Sequence, residues 1–122
     1  MKDDRLYLLH IREAVARVEK YTAEGRIVFY DDTKTQDAVI RNLQTLAEST
    51  TRLSAEIKAK RADVDWRSIA GFRNIVVHAY LQLDLDQIWD VISKDMPVLK
   101  NAIEGLLNEI GPKAPIDTPP NT

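Results

Sequence analysis

RNIVVHAY, residues 73–80, is the stretch whose reading decides the fold. On a helical wheel at about 100° per residue, Phe72, Ile75, Val76, Ala79 and Leu83 gather within roughly 100° of one another. That is the stripe with which an amphipathic helix covers a core. Val77 and Leu81 point the other way, about 40° apart. Arg73 and Tyr80 flank them on one side, Asn74 and His78 on the other. By the same count Arg73 and His78 are roughly 140° apart and share no narrow face. A second apolar strip edged by polar side chains fits a surface covered by another molecule, and a symmetric dimer is the simplest one. Two copies meeting through Val77 and Leu81 would bring two arginines and two histidines into one cleft. The plain alternative is two exposed hydrophobes, common on any protein surface.

Helical periodicity extends in both directions from this stretch. Leu8, Ile11, Val15 and Val18 recur at three and four residues, and Gly25 suits the end of that first helix. RIVFYDD, residues 26–32, reads as a loop with apolar anchors because nothing nearby offers strand partners. Thr33 and Gln36 fit a capping box that opens a second helix. Its stripe is Val39, Leu43, Leu46, Thr50, Leu53 and Ile57, and it could run to Arg61. Asp63 or Asp65 can cap a third helix that carries the opening motif. LDLD, residues 83–86, breaks it, and Asp84 or Asp86 can cap a fourth. That helix carries Ile88, Val91, Ile92, Val98, Leu99, Ile103, Leu106 and Leu107, with a kink or split expected near Lys94–Met96 because of Pro97. The reading is one all-α domain over residues 1–110, a four- to five-helix antiparallel bundle. A disordered proline-rich tail follows at 111–122.

Composition narrows the function. The 122 residues contain no cysteine, which excludes disulfides, zinc–thiolate sites and thiol nucleophiles. No apolar run reaches the roughly 18 to 20 residues of a membrane span. MKDDRLYLLH has charges where a signal peptide needs apolar residues. A soluble cytoplasmic protein is the expectation. The net charge of −2 argues against indiscriminate coating of nucleic acid. Residues 52–73, however, hold Arg52, Lys58, Lys60, Arg61, Arg67 and Arg73 against Glu56, Asp63 and Asp65. Such a run is commonly a solvated face, yet it is also where RNA would be least repelled.

The motif's side chains suit one reaction class. No HExxH pattern, acid-rich ligand spacing, Ser-His-Asp order or glycine-rich phosphate loop is present, so no metal and no cofactor are expected. A lone histidine on a part-apolar helix is usually structural. Arginine with histidine nevertheless suffices for RNA cleavage, in which the 2′-hydroxyl itself attacks the neighbouring phosphate. His78 can move the proton, and Arg73 can hold the phosphate and stabilise its developing charge. Asn74, one turn before His78, could orient the imidazole or bind a phosphate oxygen. Tyr80 could stack on a base or hydrogen-bond the phosphate.

RNIVVHAY resembles the R-x4-H-x-Y signature of the HepT-like ribonuclease toxins of the HEPN superfamily, through Arg73, Asn74, His78 and Tyr80. TQDAVIRNLQTLAE (35–48), DWRSIAGFRNIVVHAY (65–80) and LDQIWDVISKDMPVLKNAI (85–103) resemble the same family in the same order. The resemblance implies a helical homodimer with Arg73 and His78 in a cleft at the interface, and metal-independent endoribonuclease activity toxic to the host cell. It also implies an MntA-like nucleotidyltransferase antitoxin that adenylylates Tyr80. A non-catalytic subunit that only docks such a nucleotidyltransferase is the alternative.

Overall fold

The computed structural model describes residues 3–82 and 84–111. Leu83, expected in the core stripe, and the expected tail from residue 112 lie outside them. The described chain is helical, with α1 (Asp4–Tyr21), α2 (Arg26–Asp31), α3 (Thr33–Thr51), α4 (Ala55–Ala59), α5 (Trp66–Ala70), α6 (Phe72–Leu81), α7 (Leu85–Asp90) and α8 (Met96–Ile110). A π-helical segment, Val91–Asp95, joins the last two. No helix among the described residues is long and apolar enough to cross a membrane.

Most residues of the stripes read from the sequence lie in the core. Leu8, Ile11, Val15 and Val18 of α1 are fully covered, as are Val39, Leu43 and Leu46 of α3 and Leu99, Ile103 and Leu106 of α8. The helix α1 packs chiefly on α3 and α8, and α6 lies on α3 and α7. End-to-end contacts set the directions. Arg5 at the start of α1 reaches the Gly111 carbonyl past the end of α8, while Glu19 near the end of α1 pairs with Lys100 in α8. These two helices are therefore antiparallel. Tyr80 with Asp37 and Arg73 with Glu48 make α3 and α6 antiparallel as well.

Several local expectations are corrected. Residues 26–31 are helical, not a loop; Phe29 is buried against Trp89, with ring centroids 5.4 Å apart. Arg26 holds the same helix to α7 through Asp86 at 3.1 Å. The α3 cap is Asp32, whose carboxylate accepts from Lys34 N–H at 3.1 Å and the Thr35 hydroxyl at 2.7 Å. Gln36, expected to close a capping box, instead donates to the Phe29 and Tyr30 carbonyls at 3.0 and 3.1 Å. The second helix stops at Thr51 rather than Arg61, because Ser54 is drawn into a new cap. Its backbone N–H and hydroxyl donate to the buried Asp4 carboxylate at 2.8 and 2.6 Å, and its oxygen accepts from Ile57 N–H at 3.1 Å. Leu53 and Ile57 stay buried across the break, so the stripe holds although the helix does not.

Asp65 caps α5 by accepting from Ser68 N–H, while Asp63 pairs with Arg61; a turn at Gly71 then separates α5 from α6. Asp84, not Asp86, caps α7. At Pro97 the chain neither splits nor leaves the helical region. Met96 N–H bonds the Val91 carbonyl five residues back, a wider turn that relieves the clash between the proline ring and the preceding turn. Val98, assigned to the buried stripe, is 52% exposed.

Candidate functional site

The side chains of Phe72, Val76 and Ala79 seat α6 on the core, and Ile75 is half-buried. That anchoring fixes the outward face. Arg73, Asn74 and His78 all line one open groove of about 730 Å³, whose apolar floor includes Ile75, Val77 and Leu81. Gln44 from α3 and Gln87 from α7 complete its walls. Arg73 and His78 thus face the same space despite their wide angle on the wheel. They stand on either bank of the Val77–Leu81 strip, and all four residues line the groove. Leu81 is 77% exposed and Val77 half-buried.

Tyr80 is placed differently from its motif neighbours. It does not line this groove; its hydroxyl donates to the Asp37 carboxylate at the start of α3. That hydrogen bond, with burial and the nearby negative charge behind it, raises the phenol above its ordinary pKa. The Arg73 side chain is 66% exposed and its guanidinium lies 3.5 Å from Glu48, whose other oxygen pairs with Arg52 at 3.2 Å.

The basic window does not converge on the motif. Lys60 pairs with Glu109 at 3.1 Å and Arg61 with Asp63 at 2.9 Å, while Arg52 shares Glu48. Lys58 is half-buried and Arg67 is exposed. None of these five lines the groove that holds His78. Among the described residues, no three histidine, aspartate or glutamate side chains are grouped as metal ligands would be.

Sequence reading missed the facing wall. Asp37, Arg41, Gln44 and Glu48 follow one another at four, three and four residues along α3, a single polar row. Asp37 meets Tyr80, Gln44 meets the His78 groove, and Glu48 meets Arg73. Their spacing was visible, but nothing local says which helix the row faces.

Fold and groove together define an all-α bundle with a guanidinium, an amide and an imidazole on one open groove. The chain belongs to the HepT-like family, described as "Ribonuclease HepT-like", which matches residues 11–106. A Thermococcus cleftensis protein named "Probable ribonuclease HepT" is 36% identical over 103 residues, covering 82% of this chain and 92% of its own. "Putative RNase TTE0752" of Caldanaerobacter subterraneus is 30% identical across 89% of this chain and 98% of its own. The Methanocaldococcus jannaschii protein "Gamma-glutamylcyclotransferase and putative RNase MJ0434" is 34% identical over 110 residues, and the chain spans 50% of its length. No solved structure matches the chain.

Proposed function

We propose that this protein is the RNA-cleaving toxin of a toxin–antitoxin pair, acting in the cytoplasm as a homodimer without a metal ion. The observation that carries the reading is the convergence of Arg73, Asn74 and His78 on one groove in a chain of the HepT-like ribonuclease family. The nucleophile is the RNA's own 2′-hydroxyl. One His78 imidazole takes its proton as the oxygen attacks phosphorus, and Arg73 neutralises charge growing on the phosphoryl oxygens. The bond from phosphorus to the 5′-oxygen then breaks. The leaving oxygen takes a proton from an imidazolium, and the products are a 2′,3′-cyclic phosphate and a 5′-hydroxyl. Dimerisation through Val77 and Leu81 supplies a second imidazole to the same cleft, so one copy's His78 serves as base and the other's as acid.

The regulatory half of the proposal is an MntA-like nucleotidyltransferase antitoxin that adenylylates Tyr80. Support for accessibility comes from the hydroxyl's exposed position beside Asp37. The added nucleotide is bulky and anionic on the same helix as Arg73 and His78, and would repel an RNA phosphate as well as block it.

The test uses protein made without the partner, with Tyr80 shown unmodified by intact mass. Incubated with total RNA and a chelator, the wild type is expected to give discrete fragments ending in 2′,3′-cyclic phosphate. Loss of an acid–base residue costs about 10²- to 10⁴-fold, so His78→Ala should leave the RNA intact on the same gel. No cleavage by well-folded, unmodified dimer would favour a subunit that only docks the nucleotidyltransferase.

A further inference from the structure

Among the described residues, the exposed Arg41 is the one charged member of the α3 row whose side chain makes no ion pair or hydrogen bond with the motif helix or a neighbour. Asp37, four residues before it, stands at the spacing where an acid ordinarily pairs with a base along a helix. The Tyr80 hydroxyl has taken that carboxylate. Glu48 is held between Arg73 and Arg52. Among the described residues no carboxylate lies within ion-pair distance of Arg41.

Position adds to charge. Arg41 lines a second groove of about 510 Å³ together with Gln44, Thr45, Ser49, Glu48 and Arg73. Gln44 and Arg73 also line the groove that holds His78. The two grooves therefore adjoin at the α3–α6 seam, with Gln44 and Arg73 common to both and Arg41 lining only the second. Arg52, Lys60 and Arg61, by contrast, each pair with a neighbouring acid and line neither groove.

We infer that Arg41, with Gln44 beside it, is a binding subsite for a second phosphate of the RNA strand whose scissile phosphate lies at Arg73. This rests on the RNA-cleaving reading of the groove. The planar guanidinium can donate to two phosphate oxygens side by side, and the Gln44 amide can donate to a third oxygen or a sugar hydroxyl. Contacts of this kind position the strand without reading its bases, so the subsite acts on affinity and register rather than on sequence preference.

The experiment measures binding of a short fluorescein-labelled single-stranded RNA carrying 2′-O-methyl groups throughout, which removes the attacking hydroxyl. Wild type, Arg41→Gln, Arg41→Lys and Lys100→Gln proteins are titrated at several salt concentrations. Lys100 pairs with Glu19 in the α1–α8 pair and controls for the loss of one positive charge. Arg41→Gln is expected to weaken binding roughly five- to tenfold and to lower the salt slope by about 0.7, the loss of one single-strand phosphate contact. Arg41→Lys should keep the slope and Lys100→Gln the affinity. Unchanged binding by Arg41→Gln, no binding by the wild type, or equal weakening by Lys100→Gln would overturn the subsite. Failure of the underlying reading is seen separately: unmethylated RNA would stay intact with wild type, or His78→Ala would cut it equally well.

Discussion

Replacing Leu81 by alanine tests how the site is assembled. The change removes about three carbon-group equivalents of apolar burial, at ~0.8 kcal/mol each, or about 2.4 kcal/mol if the side chain is wholly covered in the proposed dimer. Within one protomer Leu81 is already 77% exposed, so roughly three-quarters of that contribution, about 1.8 kcal/mol, is left for a partner to realise. A two-fold interface contains the side chain twice, which doubles the loss to about 3.6 kcal/mol. At 1.4 kcal/mol per decade, the dimer should dissociate several hundred times more readily. The protomer itself should be little changed, because the deleted atoms contact water. Sedimentation equilibrium over a concentration series reads the first effect, and a melt of the isolated monomer reads the second. RNA cleavage should then depend on concentration, disappearing below the variant's dissociation constant and returning above it. A dissociation constant altered less than tenfold would show that Val77 and Leu81 do not form the interface.

Other expectations follow from the contacts described. Ser54→Ala removes the α4 cap, worth about 1 kcal/mol, and deprives the buried Asp4 carboxylate of a partner, worth a further 1 to 2 kcal/mol. Urea unfolding should report a loss of about 2 to 3 kcal/mol, and a value near zero would refute the relay. Gly25 has φ +100° and ψ 178°, a region nearly closed to residues with a Cβ, so Gly25→Ala should cost about 1 to 3 kcal/mol in the same assay. The Tyr80 phenol should titrate above its ordinary value because its proton is held by Asp37. Its contribution to stability is present below the free-phenol pKa, roughly 10, and is lost as pH rises through the folded value. In proteins carrying ¹³C-labelled tyrosine, Asp37→Asn should move one ring's titration down and leave Tyr30, bonded to Asp86, where it was. No change in any ring would contradict the hydrogen bond.

The sequence by itself determined the helical class, the stripes of α1, α3, α6 and α8, and the face of the motif helix that carries Val77 and Leu81. These depend on local spacing, because a residue three or four places along a helix is a spatial neighbour whatever surrounds it. Arg73, Asn74 and His78 stood out by their chemistry and by the family resemblance rather than by spacing, which set Arg73 and His78 on different faces; in the structure all three line one groove. Tertiary structure decided where helices begin and end. RIVFYDD is too short to be stable alone, and becomes α2 only because Phe29 and Arg26 find Trp89 and Asp86 about sixty residues away. The break after Thr51 depends on Asp4, 50 residues before Ser54. The second wall of the site has the same origin. A polar row at Asp37, Arg41, Gln44 and Glu48 is indistinguishable from a solvated surface until α6 lies antiparallel to it. Tyr80 then takes Asp37, Arg73 takes Glu48, and Arg41 is left facing the groove. Periodicity records which side of a helix is apolar, but the partners of its polar side depend on contacts that no local pattern contains.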